Sequence, residues 1–383
     1  GLVSYAELGA LFPEGHPYRH STIGSMADLD AATMEDVRAW FGRHYGPNNA
    51  VLVLAGDIDA PTARTLVERY FGDIPRGPDT EQIDPGVPTL DERRDIRMQD
   101  SVATTRLYRS WVVPGLNAPI ASDLDVGASV FGGLASSRLD NILVRDEQTA
   151  ASVSASLQEF EYLSIFRIAV NVAPTADADA VSARLDELIA DFIEIGPSQD
   201  EVNRVAMSQV AGQIAGLDRV GGFTGKAGVL ATGELYSGDP AYFQTRLQRL
   251  GAVTPESVRA AMQQWLTRPL LAIRVDPGER DAYQEAASVD GSLSGDLLSP
   301  AFYLQPGEEP EAGVGDVDMP ASADTGTRNI ARPTVGEIAD LDFPDVQRAT
   351  LSNGVELLFV QRTGVPRILT RLSFDVGNAA ERS

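Results

Sequence analysis

The sequence predicts an α+β protein with helices covering an antiparallel or mixed sheet, in which one cap, helix, strand and turn unit occurs twice. Three observations carry this. Thr33-Met34-Glu35-Asp36-Val37-Arg38-Ala39 is echoed by Thr254-Pro255-Glu256-Ser257-Val258-Arg259-Ala260, and each leads into a helical pattern, an apolar run of strand length and an Asp-containing turn. Ala151 to Leu157 and Tyr162 to Val172 read as paired strands, the second rich in β-branched and aromatic residues. The amphipathic stretch Asp177 to Ile195 follows, with Val181, Leu185, Leu188, Ile189 and Phe192 aligned at helical spacing. A repeat this widely spaced means duplicated domains rather than a solenoid. The length of 383 residues also calls for two or three domains.

Taken in order, Leu2 to Phe12 reads as the last turns of a helix, with Leu2, Tyr5, Leu8, Leu11 and Phe12 on one side. Pro13 to Met26 is loop by its Gly, Pro and Ser content. Thr33 with Asp36 is a variant of the capping box, and Val37, Trp40, Phe41 and Tyr45 then form one apolar helix face. Gly46-Pro47-Asn48-Asn49 breaks the helix, because Pro lacks an N–H and Asn favours turns. Ala50 to Ala55 is continuously apolar and predicts a buried strand. Gly56 to Asp59 turns the chain, and Asp59 with Pro61 opens a helix running to Phe71. The proline-containing stretch Gly72 to Arg93 predicts an interdomain linker.

A second domain begins near Asp95. Thr105 to Val113 predicts a strand, Ile120 to Phe131 a helix ended by Gly132-Gly133, and Ser137 to Val144 another helix. Beyond the paired strands and the Asp177 helix, Ser198 and Glu201 form a second capping box. Helices follow through Tyr236, over Pro240 to Leu250 and over Thr254 to Leu266, and Pro269 to Val275 is the closing strand. Val289 to Asp340, poor in aromatics and rich in Gly, Pro, Ser, Asp and Glu, predicts a long linker with disordered parts. Asn353-Gly354 places a hairpin turn within Arg348 to Val360, and Ile368 to Val376 predicts a further strand.

Composition narrows the partners. With 43% hydrophobic and 22% charged residues the chain is an ordinary globular one. No run approaches the 18 or so apolar residues of a membrane-spanning helix. A formal charge of -24 argues against nucleic acid and anionic membranes, both polyanionic, and is compatible with basic partners or with solubility alone. The absence of cysteine removes disulfides, thiolate metal sites and cysteine nucleophiles. The chain begins at Gly1 and stops at Ser383 inside a strand-rich stretch, so both ends read as cut.

His16 to Asp59 resembles the end of the first domain of the pitrilysin/insulinase family of zinc peptidases. Phe131-Gly132-Gly133-Leu134-Ala135-Ser136-Ser137-Arg138-Leu139 resembles a hallmark stretch of that family's second domain. The resemblance implies α/β sandwich domains used in pairs. On that basis residues 1–78 are the end of a first domain, 79–94 a linker, 95–287 a second domain, 288–343 an interdomain linker and 344–383 the start of a third. It implies a zinc endopeptidase that closes as a clamshell around peptide substrates, with this segment as chamber wall and hinge. The implied cofactor is Zn2+, and the implied partner is the other half of the same polypeptide or a homologous subunit. A periplasmic or otherwise exported setting is implied as well. The alternative is a non-catalytic member acting as a structural subunit.

The family's metal site rests on a His-x-x-Glu-His helix and a more distant Glu. The only histidines here are His16, His20 and His44, none in that pattern. His16 and His20 are spaced four apart but flank Pro17 in a loop, and Glu7 falls later in its helix than the family's ligand. The resemblance puts the metal site upstream of Gly1, so no catalytic, cofactor or metal residue is assigned within this chain. Gly221 to Lys226 mimics a phosphate loop but is one residue short, has Ala227 where Ser or Thr would hold magnesium, and lies between helices. Ser136 and Ser137 suit a helix cap better than a nucleophile. Asp57 and Asp59 suit a turn and N-cap, and Glu159 and Glu161 suit an exposed turn.

Overall fold

The computed structural model describes residues 2–24, 32–80, 83–281, 345–361 and 370. Its centre is one mixed sheet of five strands: β1 (Arg94–Asp100), β2 (Arg106–Pro114), β3 (Ala150–Glu159), β4 (Leu163–Val172) and β5 (Leu271–Pro277). Their order is β1-β5-β2-β4-β3. β1 runs parallel to β5, and β2, β4 and β3 continue antiparallel from it.

Alternation along the strands separates two cores. Leu107, Trp111 and Val113 of β2, with Phe166, Ile168, Val170 and Val172 of β4, face one side. There they meet α4 (Ala121–Ala128), α5 (Ala178–Ile195), α6 (Gln199–Gly216), α8 (Tyr242–Ala252) and α9 (Pro255–Trp265). The five predicted apolar positions of α5 are all buried in this core. On the other side Val112, Leu163, Ile165, Leu271, Ile273 and Val275 pack against Ala10 and Leu11 of α1 (Leu2–Leu11) and against Phe12. The remaining elements are α2 (Met34–His44), α3 (Ala60–Phe71) and α7 (Lys226–Ser237). A two-stranded hairpin, β6 (Gln347–Thr350) and β7 (Glu356–Phe359), forms around the predicted Asn353-Gly354 turn, with Gly354 at φ 87°. Among the described residues no helix is long and apolar enough to cross a membrane.

The predicted α+β class holds, and both repeat units begin as expected. At α2, Thr33 Oγ1 accepts from Asp36 N–H at 3.2 Å while Asp36 Oδ2 accepts from Thr33 N–H at 2.8 Å. At α9, Thr254 Oγ1 and Ser257 Oγ exchange the same pair of bonds at 3.1 and 3.0 Å. The repeat stops there. Leu271–Pro277 becomes the buried β5, but Ala50 to Ala55 joins no ladder, and Leu52 is 54% exposed. An apolar run states only that a strand would gain from burial; a ladder needs a neighbouring strand to exchange hydrogen bonds. Beside this segment lies a loop instead, joined through Asn48 Nδ2 to the Pro78 carbonyl and through Gly77 N–H to Asn48 Oδ1.

Smaller differences have local causes. The predicted helix Ile120–Phe131 is α4 followed by a wider π-helical turn, Ser129–Gly133, and the predicted helix at Ser137 is a second such turn, Asp140–Asp146. β1 was not predicted: Ile96 and Met98 alternate with polar neighbours, but only two apolar residues stand among Arg94, Asp95, Arg97, Gln99 and Asp100. The predicted linker Val289 to Asp340 and strand Ile368 to Val376 lie outside the described residues.

Candidate functional site

The most specific motif, Phe131 to Leu139, folds into a turn pressed between β3 and the start of α6. Phe131 stacks on Phe192 of α5, with ring centroids 4.6 Å apart and planes at 20°. The Arg138 guanidinium sits 5.2 Å from the same Phe192 ring. It also donates to both oxygens of Glu201, each at 2.8 Å. Gly132 is required by closeness, because a Cβ there would lie 2.7 Å from the Ala155 backbone nitrogen. Ser137 Oγ is buried without a hydrogen-bond partner, so it does not make the expected cap.

Glu201 ties this turn to a helix start. It accepts from Arg138 and, at 2.7 Å, from Ser198 N–H, closing the predicted capping box. The Arg138 bonds, outweighing partial burial, bring its carboxyl down to about 2 from 4.5. A lowered folded value gives stability that is present above about 4.5 and lost as pH falls through about 2. Glu201→Gln is therefore expected to cost about 2 kcal/mol at neutral pH after allowance for solvent screening. The cost should shrink towards zero near pH 2 in urea-unfolding measurements; a pH-independent cost would contradict the pairing.

A second polar centre was not assigned from the sequence. Glu7, 0% exposed on α1, accepts from Ser110 Oγ of β2 at 2.5 Å and from Arg167 Nε of β4 at 2.8 Å. A second Arg167 nitrogen donates to the other Glu7 oxygen, so the pair is bidentate. The available signal was an acid inside an otherwise apolar helix face, matched by one arginine in a β-branched strand.

Of the three histidines, His16 and His44 pack against aromatic rings. His16 is buried, stacks on Phe12 at 4.8 Å and accepts Tyr18 N–H on Nδ1 at 3.2 Å. Burial lowers its pKa; the Pro85 carbonyl opposes this, though no hydrogen bond of ordinary geometry reaches Nε2. His44 lies 5.2 Å from the Trp40 ring, its pKa lowered by burial and by Arg43. His20 is exposed. Among the described residues no three His, Asp or Glu side chains come close enough to share a metal ion, so the donor set does not fit catalytic zinc.

The other candidates separate cleanly. Gly221 to Lys226 joins α6 to α7, with Phe223 99% exposed at its tip. The amides at its helical end are used internally: Gly225, Lys226 and the following Ala227 N–H donate to the carbonyls of Gly222, Arg219 and Val220. The amides at the start of α7, where a phosphate would be held, are therefore already bonded. Asp59 caps α3 through Thr62 N–H at 2.8 Å, a bond that lowers its pKa, while Asp57 is exposed. Glu159 departs from the exposed-turn expectation: half-buried, it pairs with Arg246 of α8 at 2.8 Å. Glu161 is half-buried too.

The chain resembles known proteins in both sequence and fold. Residues 31–208 match the family described as the Peptidase M16 inactive domain. That match, together with the zinc-protease relatives and the structural neighbours, supports the pitrilysin/insulinase (M16) family. Among curated relatives, this chain is 23% identical over 213 residues to zinc protease PqqE of Helicobacter pylori, covering 53% of this chain and 46% of that protein. It is 26% identical over 269 residues to an uncharacterized zinc protease of Mycobacterium leprae, covering 68% and 58%. It thus spans about half the length of these relatives. The fold also matches a solved peptidase M16 inactive domain from Pseudomonas fluorescens, with TM-score 0.63, 19% identity, and 74% and 66% of the two chains covered. A protease from Helicobacter pylori matches with TM-score 0.61 at 19% identity, over 68% and 63%.

Proposed function

We propose that this chain is a non-catalytic wall and hinge of a zinc-dependent endopeptidase that encloses and hydrolyses peptides, the metal site lying outside residues 1–383. One observation supports this above the others: the family match falls on the inactive-domain type, and Phe131 and Arg138 of the Phe131 to Leu139 stretch are engaged in stacking and ion pairing. In this proposal residues 1–78 and 95–287 are successive peptidase-like domains joined by 79–94. Residues 288–343 connect them to a third beginning at 344. The partner is the other half of the same polypeptide or a homologous subunit, in an exported, periplasmic setting. The charge of -24 would favour basic or neutral peptides, an effect that salt weakens over about 8–10 Å. The inactive-domain match also favours a second reading, a purely structural subunit.

Zinc titration of the 383-residue chain is expected to reveal no tight stoichiometric site, and the chain should cleave no peptide. A catalytic zinc needs three protein ligands and an open position, which no group of side chains among the described residues supplies. Tight one-to-one binding abolished by His16→Ala and His20→Ala would sink the assignment. The longer polypeptide or assembly separates the two readings. Chelator-sensitive peptide hydrolysis supports the chamber wall, and its absence supports the structural subunit.

A further inference from the structure

A polar cluster behind the Ser129–Gly133 turn is not used by the motif. Asp125 of α4 accepts from Gln209 Nε2 of α6 at 2.9 Å, and the same nitrogen reaches Ser129 Oγ at 3.3 Å. The carboxylate fixes the orientation of the amide, since an ionised Asp125 cannot donate to a carbonyl oxygen, whereas the Ser129 hydroxyl can serve as donor or acceptor. The other end of that amide, Gln209 Oε1, is buried and accepts no hydrogen bond. An ionised carboxylate beside it offers only acceptors, whereas a neutral acid carries one O–H. The chemical complement of a primary amide is a neutral carboxylic acid, which takes the amide N–H on its carbonyl and returns its O–H to the amide oxygen.

We infer that Asp125 and Gln209 form a proton-operated brace between α4 and α6, bonded in both directions when Asp125 is neutral and in one direction when it is ionised. The surroundings favour the neutral form. Burial is the largest influence and the Glu159 charge the next; Arg246, paired with Glu159, and the Gln209 N–H oppose them, leaving the carboxyl at about 6. The one other acid on this helix near the cluster, Asp123, is itself shifted upward by burial and accepts from Ser257 Oγ of α9 at 2.5 Å. Because the folded value lies above the unfolded 3.8, the stabilisation is full below about 3.8 and lost as pH rises through about 6. Ser129 shares the Gln209 amide, so the brace also sets how firmly α6 holds the Phe131 to Leu139 turn.

Thermal unfolding of the full chain at about pH 3.5 and about pH 8 tests this, with Asp125→Asn as a permanently neutral counterpart. Expected is a variant that melts level with wild type at the lower pH and several degrees above it at the higher. An equal gap at both would overturn the brace. Should Asp125→Asn fail to fold, Glu159→Gln serves: it should gain on wild type at the higher pH relative to the lower, and no difference would again overturn the proposal. The Gln209 side-chain amide resonance should shift with the same midpoint; an amide insensitive to pH would show that Asp125 titrates without bracing α6.

Discussion

Arg167→Met is expected to destabilise the protein by about 3–5 kcal/mol, because it strands a carboxylate that has no route to water. Glu7 is fully buried between α1 and the sheet, and its charge is matched by the two nitrogens of Arg167 and by Ser110. The Arg167 side chain is itself 30% exposed, so its removal loses little burial; the cost comes from the partner left behind. Removing both charges together, with Glu7→Leu and Arg167→Met, should recover most of the loss, since a packed apolar pair commonly equals a buried ion pair. Urea unfolding of the three variants measures this. A single-variant cost below about 1 kcal/mol, or a double variant as unstable as the single, would show that the pair is solvated in solution.

Trp111→Ala should cost a similar amount, about 3–5 kcal/mol, for a different reason. Trp111 is almost fully buried on the helix-facing side of β2, meets Phe166 edge-on at 6.1 Å and donates Nε1–H to the Arg268 carbonyl at 3.2 Å. Truncation opens a cavity in close-packed surroundings and leaves that carbonyl without its donor. Trp111→Phe keeps most of the volume and should lose roughly 1–2 kcal/mol. Equal losses for Ala and Phe would mean that the indole hydrogen bond, rather than packing, dominates.

These two sites differ in how far they could be read from sequence. Trp111 lies in a strand visible from its β-branched and aromatic residues, and the helix-facing core of α5 was legible residue by residue from its spacing. Helix starts at Thr33, Ser198 and Thr254 were legible because a cap is a local device, complete within four residues. Glu7 and Arg167 were not, because their pairing joins residues 160 positions apart and neither carries local periodicity. The same limit explains Ala50 to Ala55, whose composition asks for a ladder but cannot name the strand to supply it. The Phe131 to Leu139 motif was found by likeness alone. Its role emerged only when Phe192 and Glu201, distant in sequence, were seen to hold it.

The strand order carries a consequence for synthesis. β1 pairs with β5 alone, and β5 also forms one side of β2's pairing. A chain leaving the ribosome can assemble β2, β4 and β3 once residue 172 has emerged, but β1 must wait for residues 271–277. Over that interval β1 and the apolar flank of β2 lack their strand partner, and the closing contact spans a long stretch of chain, a topology that folds slowly. The charge crowding of β1 then acquires a use beyond the native state: Arg94, Asp95, Arg97 and Asp100 keep a waiting edge strand from pairing with the wrong neighbour.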